Sequence, residues 1–246
     1  PSVTKAKEVR YQSPERGSEK LSARPIIVGA GPAGLFAALQ LTEAGYAPIV
    51  LERGRSVEKR RQDVEKFWET GLLDPASNVQ FGEGGAGTFS DGKLNTVVKD
   101  PSGRNQFVLE TFVHYGAPEE ITYENKPHIG TDVLSQVIGN MRKDLIAKGA
   151  EFHFESCVKD LVIENGRIAA VVTEEETYPA SAVILALGHS ARDTFEMLDA
   201  KKEIPMEVKN FAVGFRVEHP QTMIDTIMYG DYRGAKLPAS PYKVTS

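Results

Sequence analysis

An α/β fold built on a parallel sheet is predicted by three observations in this chain of 246 residues. From Pro25 a short apolar run, a glycine turn, an apolar helix and a second apolar run follow one another, the order of a β-α-β unit. Ala182 to Leu187 is apolar throughout, the mark of a strand that returns to a buried parallel sheet. Between them lies a set of short strand-like runs with an Asn165-Gly166 pair, which reads as a β-meander with a tight hairpin turn. A chain of this length buries about 70–75% of its unfolded surface, enough for a substantial core. With 41% hydrophobic and 26% charged residues it is neither disordered nor fibrous.

Charge and cysteine content narrow the setting. The single cysteine, Cys157, excludes a disulfide-stapled scaffold and any redox couple of two cysteines within the chain, and predicts a reducing, cytoplasmic compartment. Net charge is -5 and the cations are scattered among acids, so no nucleic-acid partner is expected. The uncharged stretch Pro25 to Thr42 approaches the length of a membrane span, but Pro25, Gly29, Gly31, Pro32 and Gly34 would break the helix, and it reads as buried, not membranous. Pro1 reads as the start of a fragment, there being no initiator Met and no signal-peptide pattern.

The elements follow in order. Residues 1–24 are polar, charged and without apolar periodicity, and read as a leader or linker. Strands are expected near Ile26 to Val28 and Ile49 to Leu51, joined by the helix after the glycine turn. Ser56 is the expected cap of a helix reaching Thr70, with Val57, Val64, Phe67 and Trp68 on one face and Gly71 as its stop. Asn78 to Asn95 carries glycines at 82, 84, 85, 87 and 92 with neither helical nor strand period, and reads as a long loop. Helices are expected over Asn105 to Tyr115 and Thr131 to Lys148, the second with a stripe of Leu134, Val137, Ile138, Met141 and Leu145. Glu151 to Val158, Leu161 to Glu164 and Ile168 to Thr173 are assigned to the meander. Phe211, Val213, Phe215 and Val217 alternate with Ala212, Gly214, Arg216 and Glu218 as in a half-buried strand.

The strongest chemical signal is Gly29-Ala30-Gly31-Pro32-Ala33-Gly34 between strand and helix, with Glu52 ending the next strand. Gly29 permits a tight turn, Gly31 lets the backbone approach a pyrophosphate, and Gly34 lets the helix lie close on the strand. Pro32 suits a first helical turn, where its missing N–H costs nothing. The unpaired N–H groups there and the helix dipole favour an anion by about 0.3–1 kcal/mol per charge. Glu52 can accept ribose hydroxyls, each such charged hydrogen bond contributing about 1.5–3 kcal/mol, and an acid here repels a 2′-phosphate. A helix packed on a strand through small residues accounts for the glycines alone; the glycines, helix and terminal acid together point to a dinucleotide.

Gly82-Glu83-Gly84-Gly85-Ala86-Gly87 repeats the same letter pattern but follows no apolar strand, opens into Thr88-Phe89-Ser90-Asp91 and lacks a strand-terminal acid. It fails as a dinucleotide fingerprint and reads either as backbone donors for a flat or anionic ligand or as a surface turn. A third signal favours FAD over NAD: the strand ending Ala186-Leu187-Gly188-His189 after a meander resembles the late element of glutathione-reductase-like flavoproteins, with Leu187 where a Thr is usual.

Those segments, with Lys126 to Asp132 and the run from Ala186 into Lys209 to His219, resemble the uncharacterised FAD-dependent dehydrogenase family, a branch of the glutathione-reductase-like two-domain flavoproteins, over Pro25 to about Ile224. The resemblance implies a Rossmann-like FAD/NAD(P)-binding domain with a parallel sheet and β-meander crossover, plus part of an inserted α+β substrate domain. It divides the chain into a leader at 1–24, an FAD-binding domain at 25–200 with its glycine-rich loop at 78–95, and the start of a substrate domain at 201–246. By the same resemblance Gly29, Ala30, Gly31, Pro32, Ala33 and Gly34 hold the pyrophosphate, Glu52 and Arg53 the adenosine ribose and its surroundings, and the Val158 backbone the adenine edge. Gly188 borders the adenine side, and Gly85, Gly87 and Thr88 lie near the ribityl chain or flavin ring. Nothing from Ile204 to Ser246 resembles the family's closing glycine-and-acid segment, so a further C-terminal part of the same polypeptide is expected to complete the site.

No histidine pairs with another or with Cys157 at metal-ligand spacing, so no metal site is expected. His128, His189 and Arg216 are weighed as proton donors or anion holders, with structural roles favoured for the histidines, and Arg60 and Arg61 read as a solvated helix face. No catalytic residue emerges. The expected function is an FAD-dependent oxidoreductase moving a hydride to or from a small-molecule substrate, with NAD(P)H a candidate transient electron donor. A non-catalytic flavin- or nucleotide-binding fragment, a flavoprotein acting on tRNA and an NAD-only dehydrogenase remain open.

Overall fold

The computed structural model describes residues 9–90, 92–94, 99–124, 127–211, 213–215, 217–230 and 237–241. The chain divides into two units, Pro1–Met206 and Glu207–Ser246.

In the first unit β1 (Ile26–Val28), α1 (Pro32–Glu43) and β2 (Ile49–Leu51) form the expected β-α-β unit, with β1 and β2 parallel. Helix α2 (Val57–Thr70) ends at Gly71, which adopts the left-handed conformation at φ 72°. Helices α3 (Arg104–His114) and α4 (Thr131–Ala147) precede β3 (Glu151–His153). The strands β4 (Val158–Glu164), β5 (Arg167–Thr173) and β6 (Thr177–Pro179) form an antiparallel three-stranded sheet, and β7 (Val183–Leu185) then returns beside β1. The main sheet is parallel, in the order β3-β2-β1-β7, and the fold is α/β and Rossmann-like. Helix α5 (Arg192–Asp199) follows β7.

Packing follows from alternation along the three-residue strands. Ile27 and Val50 point to one face, where they join Leu35, Leu39, Val137, Met141 and Leu145 of α1 and α4. Ile26, Val28, Ile49 and Leu51 point to the other, against Val158, Leu161, Val171 and Tyr178 of the meander and Leu198 of α5. The parallel sheet is therefore a middle layer between helices and meander, which is why its strands read as unbroken apolar runs. Each fully buried aliphatic chain contributes about 1.5–3 kcal/mol.

Asn165 and Gly166 have φ of 51° and 74° and join β4 to β5, as the dipeptide predicts. Other expectations change. Glu151 to Val158 is not one meander strand: residues Glu151–His153 pair in parallel with β2, and Glu155, at φ 56°, turns the chain before β4 begins. Local alternation marks a strand without naming its partner. The loop from Asn78 contains a 3-10 turn, Ala86–Phe89, opened by Gly85 at φ 66°. The leader is more than a linker: the Arg24 guanidinium donates to the carbonyls of Ala47 at 2.6 Å and Gly149 at 3.2 Å and pairs with Glu151, while the Tyr11 ring lies 4.9 Å from Phe107. Such isolated anchors carry no periodicity to detect.

In the second unit α6 (Gln221–Tyr229) is the described helix. The Asp225 carboxylate accepts the Ser240 backbone N–H at 2.9 Å. The half-buried strand expected from Phe211 to Val217 is absent among the described residues, and Phe211 and Phe215 are exposed. An alternating pattern becomes a strand only beside a partner that can complete its hydrogen bonds. Arg216 lies outside the described residues. No described helix is long and apolar enough to cross a membrane.

Candidate nucleotide site

A cavity of about 500 Å³ opens at the C-terminal ends of β1, β2 and β7. It forms where the chain leaves the parallel strands, the usual ligand position in open α/β sheets. The turn after β1 is tightly specified. Gly29 has φ 105°, and a Cβ there would stand 2.4 Å from the Ala186 carbonyl oxygen at the end of β7. A Cβ on Gly34 would fall 1.9 Å from the Gly29 carbonyl oxygen, so this glycine brings α1 down onto the strand. Gly31 differs: it lines the cavity, and the nearest atom to an added Cβ is the Gly85 Cα at 3.8 Å. The fold has room for a methyl group there. Helix α1 begins directly after Gly31 with no side-chain cap and no acid in its first turn. Its positive end, with no cap of its own, therefore faces the cavity.

Glu52 is buried, and its carboxylate joins three segments. Oε2 accepts the Ala30 N–H at 2.7 Å, while Oε1 accepts the N–H groups of Gly54 at 2.9 Å and Gly82 at 3.0 Å. The acid at the end of β2 thus ties the first glycine turn to the second glycine segment, and it still lines the cavity.

The second segment is held by side chains. Arg60 of α2 is fully buried, and its guanidinium donates to the carbonyls of Asn78 (2.8 Å), Val79 (2.9 Å), Gly82 (3.2 Å), Glu83 (2.7 Å) and Gly85 (2.9 Å). Burial lowers its pKa to about 10, which leaves it a cation at neutral pH. This corrects the expectation of a solvated face for Arg60; Arg61, half-exposed, pairs with Asp132 at 3.0 Å. The signal was present, because Val57, Arg60 and Val64 share one buried stripe at helical spacing. Glu83 is also fully buried. Its Oε2 accepts the Val57 N–H at 2.8 Å, so Glu83 caps α2 where Ser56 was expected to. Its Oε1 stands 2.8 Å from the Arg142 Nε in an ion-pair contact that departs from hydrogen-bond geometry. Burial pushes the Glu83 carboxyl up to about 7, against the opposing pull of the Val57 N–H and Arg142.

The structure gathers most of the residues singled out in the sequence. Gly29, Gly31, Pro32, Ala33, Glu52, Arg53, Gly85, Val158 and Gly188 all line the same cavity. Ala30 is buried beneath the turn, as is Gly34. Gly87 lines a second, mainly apolar cavity of about 450 Å³, between α1, α3 and α4, that shares Pro32 and Ala33 with the first. Thr88 is buried and lines neither. His189 and Ser190 stand at the rim of the first cavity, where the Ser190 hydroxyl donates to the Gln80 side-chain oxygen at 2.9 Å.

Sequence reasoning missed Phe81 and helix α5. Phe81 lines the cavity, with the Arg53 guanidinium carbon 4.3 Å from its ring centroid. Arg53 also donates to Asp193 at 2.8 Å and to the Thr194 hydroxyl at 3.0 Å. No local pattern announces that α5 contributes Thr194, Phe195 and Leu198 to this wall.

Residues 210–246 match a family described as FAD-dependent protein, C-terminal domain-like. A protein of Clostridium beijerinckii described as "Uncharacterized protein" is 47% identical over 240 residues, which are 97% of this chain and 44% of that protein. The chain thus spans less than half the length of this relative. Among solved structures, THI4 of Thermovibrio ammonificans is 20% identical with a TM-score of 0.47, over 74% of this chain and 64% of that one. The glycerol-3-phosphate dehydrogenase of Bacillus halodurans, solved with FAD, is 15% identical with a TM-score of 0.45, over 73% of this chain and 37% of that one. The likeness to FAD-dependent proteins read from the glycine motifs is thus shown also at the C-terminal end of the chain, by the family match, which supports FAD as the cofactor and the flavoprotein, nucleotide-binding reading.

Proposed function

We propose that this chain carries the nucleotide-binding part of an FAD-dependent oxidoreductase acting on a small-molecule substrate. The observation that carries the reading is Gly31, a glycine whose added Cβ would make only an ordinary contact with the Gly85 Cα, set at the uncapped N-terminus of α1 and lining the cavity. Close approach of an anionic ligand to the backbone explains a glycine that packing does not require. The Gly31-Pro32-Ala33 turn would receive the pyrophosphate, and Glu52 the adenosine ribose. Gly85 stands against Pro32, a Cβ on it falling 3.0 Å from the Pro32 Cδ, so the second glycine segment flanks the same turn. Gly87, which lines the second cavity, is assigned to the flavin end of the ligand, whereas Thr88, buried and lining neither cavity, supports that end only from behind the segment.

FAD, when bound, supplies reversible two-electron hydride chemistry, with the substrate oxidised as the flavin is reduced. The chain's own residues bind and orient; Arg60, Glu52 and Glu83 hold the loop that borders the ligand. In the opposite direction NAD(P)H is proposed as a transient electron donor that would reduce the flavin, the hydride then passing to the substrate, which is reduced as the flavin is reoxidised; the cytoplasm is proposed as the compartment, on the strength of the lone cysteine. Since the chain spans 44% of its relative, the remaining polypeptide is proposed to complete the substrate side.

The test is the visible absorption spectrum of the purified chain after incubation with FAD and desalting, with denaturation to identify the released nucleotide. Retained flavin bands and released FAD are the expected result. A folded protein that releases NAD and shows no flavin bands would overturn the assignment.

A further inference from the structure

The second cavity, of about 450 Å³, has two unlike sides. One is the glycine segment and the residues that follow it, where Gly84, Gly87 and Gly92 present backbone and Ser90 and Lys93 are the polar side chains of the lining. The other is made by three helices. Phe36 comes from α1, Val108 and Phe112 from α3, and Leu134, Ile138 and Met141 from α4, at spacings of three and four residues that turn each set to one face. None of these side chains carries a charge or a hydrogen-bond donor. Phe36 and Phe112 meet edge to face with centroids 5.7 Å apart, which fixes that wall. Opposite it, a Cβ on Gly84 would stand 2.6 Å from the Ile138 Cδ1, so the glycine segment lies directly on α4. Pro32 and Ala33 line both cavities, and the two meet at the first turn of α1.

The chemistry of the helix side selects its occupant. A charged or strongly polar group placed there loses its water and finds no side-chain partner in exchange, whereas hydrocarbon leaves water and gains contacts with the lining. Apolar cavities accordingly take apolar ligands. The pyrimidine edge of a flavin, with its carbonyls and ring nitrogens, is as poorly served by the helix side as a charge is, and its partners lie on the backbone of the loop side. Resting on the nucleotide reading above, we propose that the helix-lined half of this cavity seats the hydrocarbon body of the substrate, which is therefore an uncharged, carbon-rich small molecule held beside the flavin end at Gly87.

The experiment measures by equilibrium dialysis the uptake of the uncharged dye phenylnaphthylamine and of its sulfonated counterpart, anilinonaphthalene sulfonate, by the chain free of flavin and loaded with FAD. Val108→Trp and Leu94→Trp, at two lining positions on opposite sides of the cavity, are compared with the parent, with a thermal melt and FAD retention read for each. The parent should bind the neutral dye at least about tenfold more tightly than the sulfonate, and loading with FAD should change that affinity less than about threefold. Each filling variant should weaken the neutral dye by about tenfold or more while retaining its flavin. Equal affinities for the two dyes would remove the apolar selection, and displacement of the dye by FAD would make the cavity the seat of the flavin ring; either overturns the proposal, and both comparisons need only the parent. Uptake unmoved in a folded variant would place the dye elsewhere, as on the exposed Phe211 and Phe215, and overturns it too. A parent that retains FAD and takes up no dye removes this proposal alone; one that takes up the dye and no FAD removes the nucleotide reading and, with it, the assignment of the cavity to a substrate.

Discussion

Two segments of the first unit, Gly29 to Gly34 and Gly82 to Gly87, share one letter pattern and are built in opposite ways. The first is specified by its neighbours in the chain: a strand delivers it, a helix leaves it, and its glycines answer the Ala186 and Gly29 carbonyls at 2.4 Å and 1.9 Å from where a Cβ would stand. The second has no such frame. It is suspended from side chains far away in sequence, with Arg60 taking its carbonyls, Glu52 its Gly82 N–H, and Glu83 reaching back to cap α2. A Cβ on Gly82 would stand 2.3 Å from the Arg60 Cδ, so even its glycine is set by the buried cation. The lesson is that a glycine pattern has no structural meaning apart from what its main chain is bonded to.

The largest effect is expected where the second segment hangs. Arg60→Met removes a buried cation and leaves several inward carbonyls without donors, and stability measured by urea denaturation should fall by about 3–5 kcal/mol. The matching lesion in the first segment, Gly34→Ala, drives a methyl group into the Gly29 carbonyl and should cost about 1–3 kcal/mol in the same assay. Gly31→Ala sharpens the contrast within one turn. With 3.8 Å to its nearest neighbour the new Cβ meets no clash, and stability should fall by no more than about 1 kcal/mol, the preference of glycine over alanine at an N-cap, while FAD retention after desalting should drop by about tenfold or more. A variant that keeps its flavin would place the pyrophosphate elsewhere.

A smaller effect depends on pH. The folded Glu83 carboxyl is raised from 4.5 to about 7 by burial, so the folded state holds a proton that the unfolded state has released. Its contribution to stability should therefore decline as pH rises from about 4.5 to about 7 and level off above. The difference in melting temperature between the parent and Glu83→Gln should trace this decline, and a difference independent of pH would show that Glu83 titrates near its ordinary value. The smallest change is expected at Gly87→Ala, where no atom lies within 4 Å of the new Cβ and φ is not in the left-handed region; stability should stay within about 0.5 kcal/mol.

Much of this was legible in the residues themselves. The unit Ile26 to Leu51, the stop at Gly71, the α4 stripe and the Asn165-Gly166 turn all depend on neighbours a few positions away, and the structure places each where the pattern does. Arg60 was misread because an arginine implies solvent by composition, although its spacing with Val57 and Val64 put it on the buried face. The run from Phe211 to Val217 misled in the other direction, since alternation describes how a strand would face a partner and cannot supply one.

The β-α-β unit, the glycine turn with its following helix, and the acid at the end of β2 are readable from neighbouring residues alone, because strand period, helix period and turn chemistry are local properties of the chain. Long-range packing alone brings Glu151–His153 into the parallel sheet, bonds Glu52 to the second glycine segment as well as the first, and sets Phe81 and α5 against Arg53 at the cavity wall. Those outcomes rest on groups tens to more than a hundred residues apart in the chain, a strand backbone in the first case, a carboxylate and a backbone N–H in the second, and side chains in the third, which come within reach only after the sheet and its helices have brought them together.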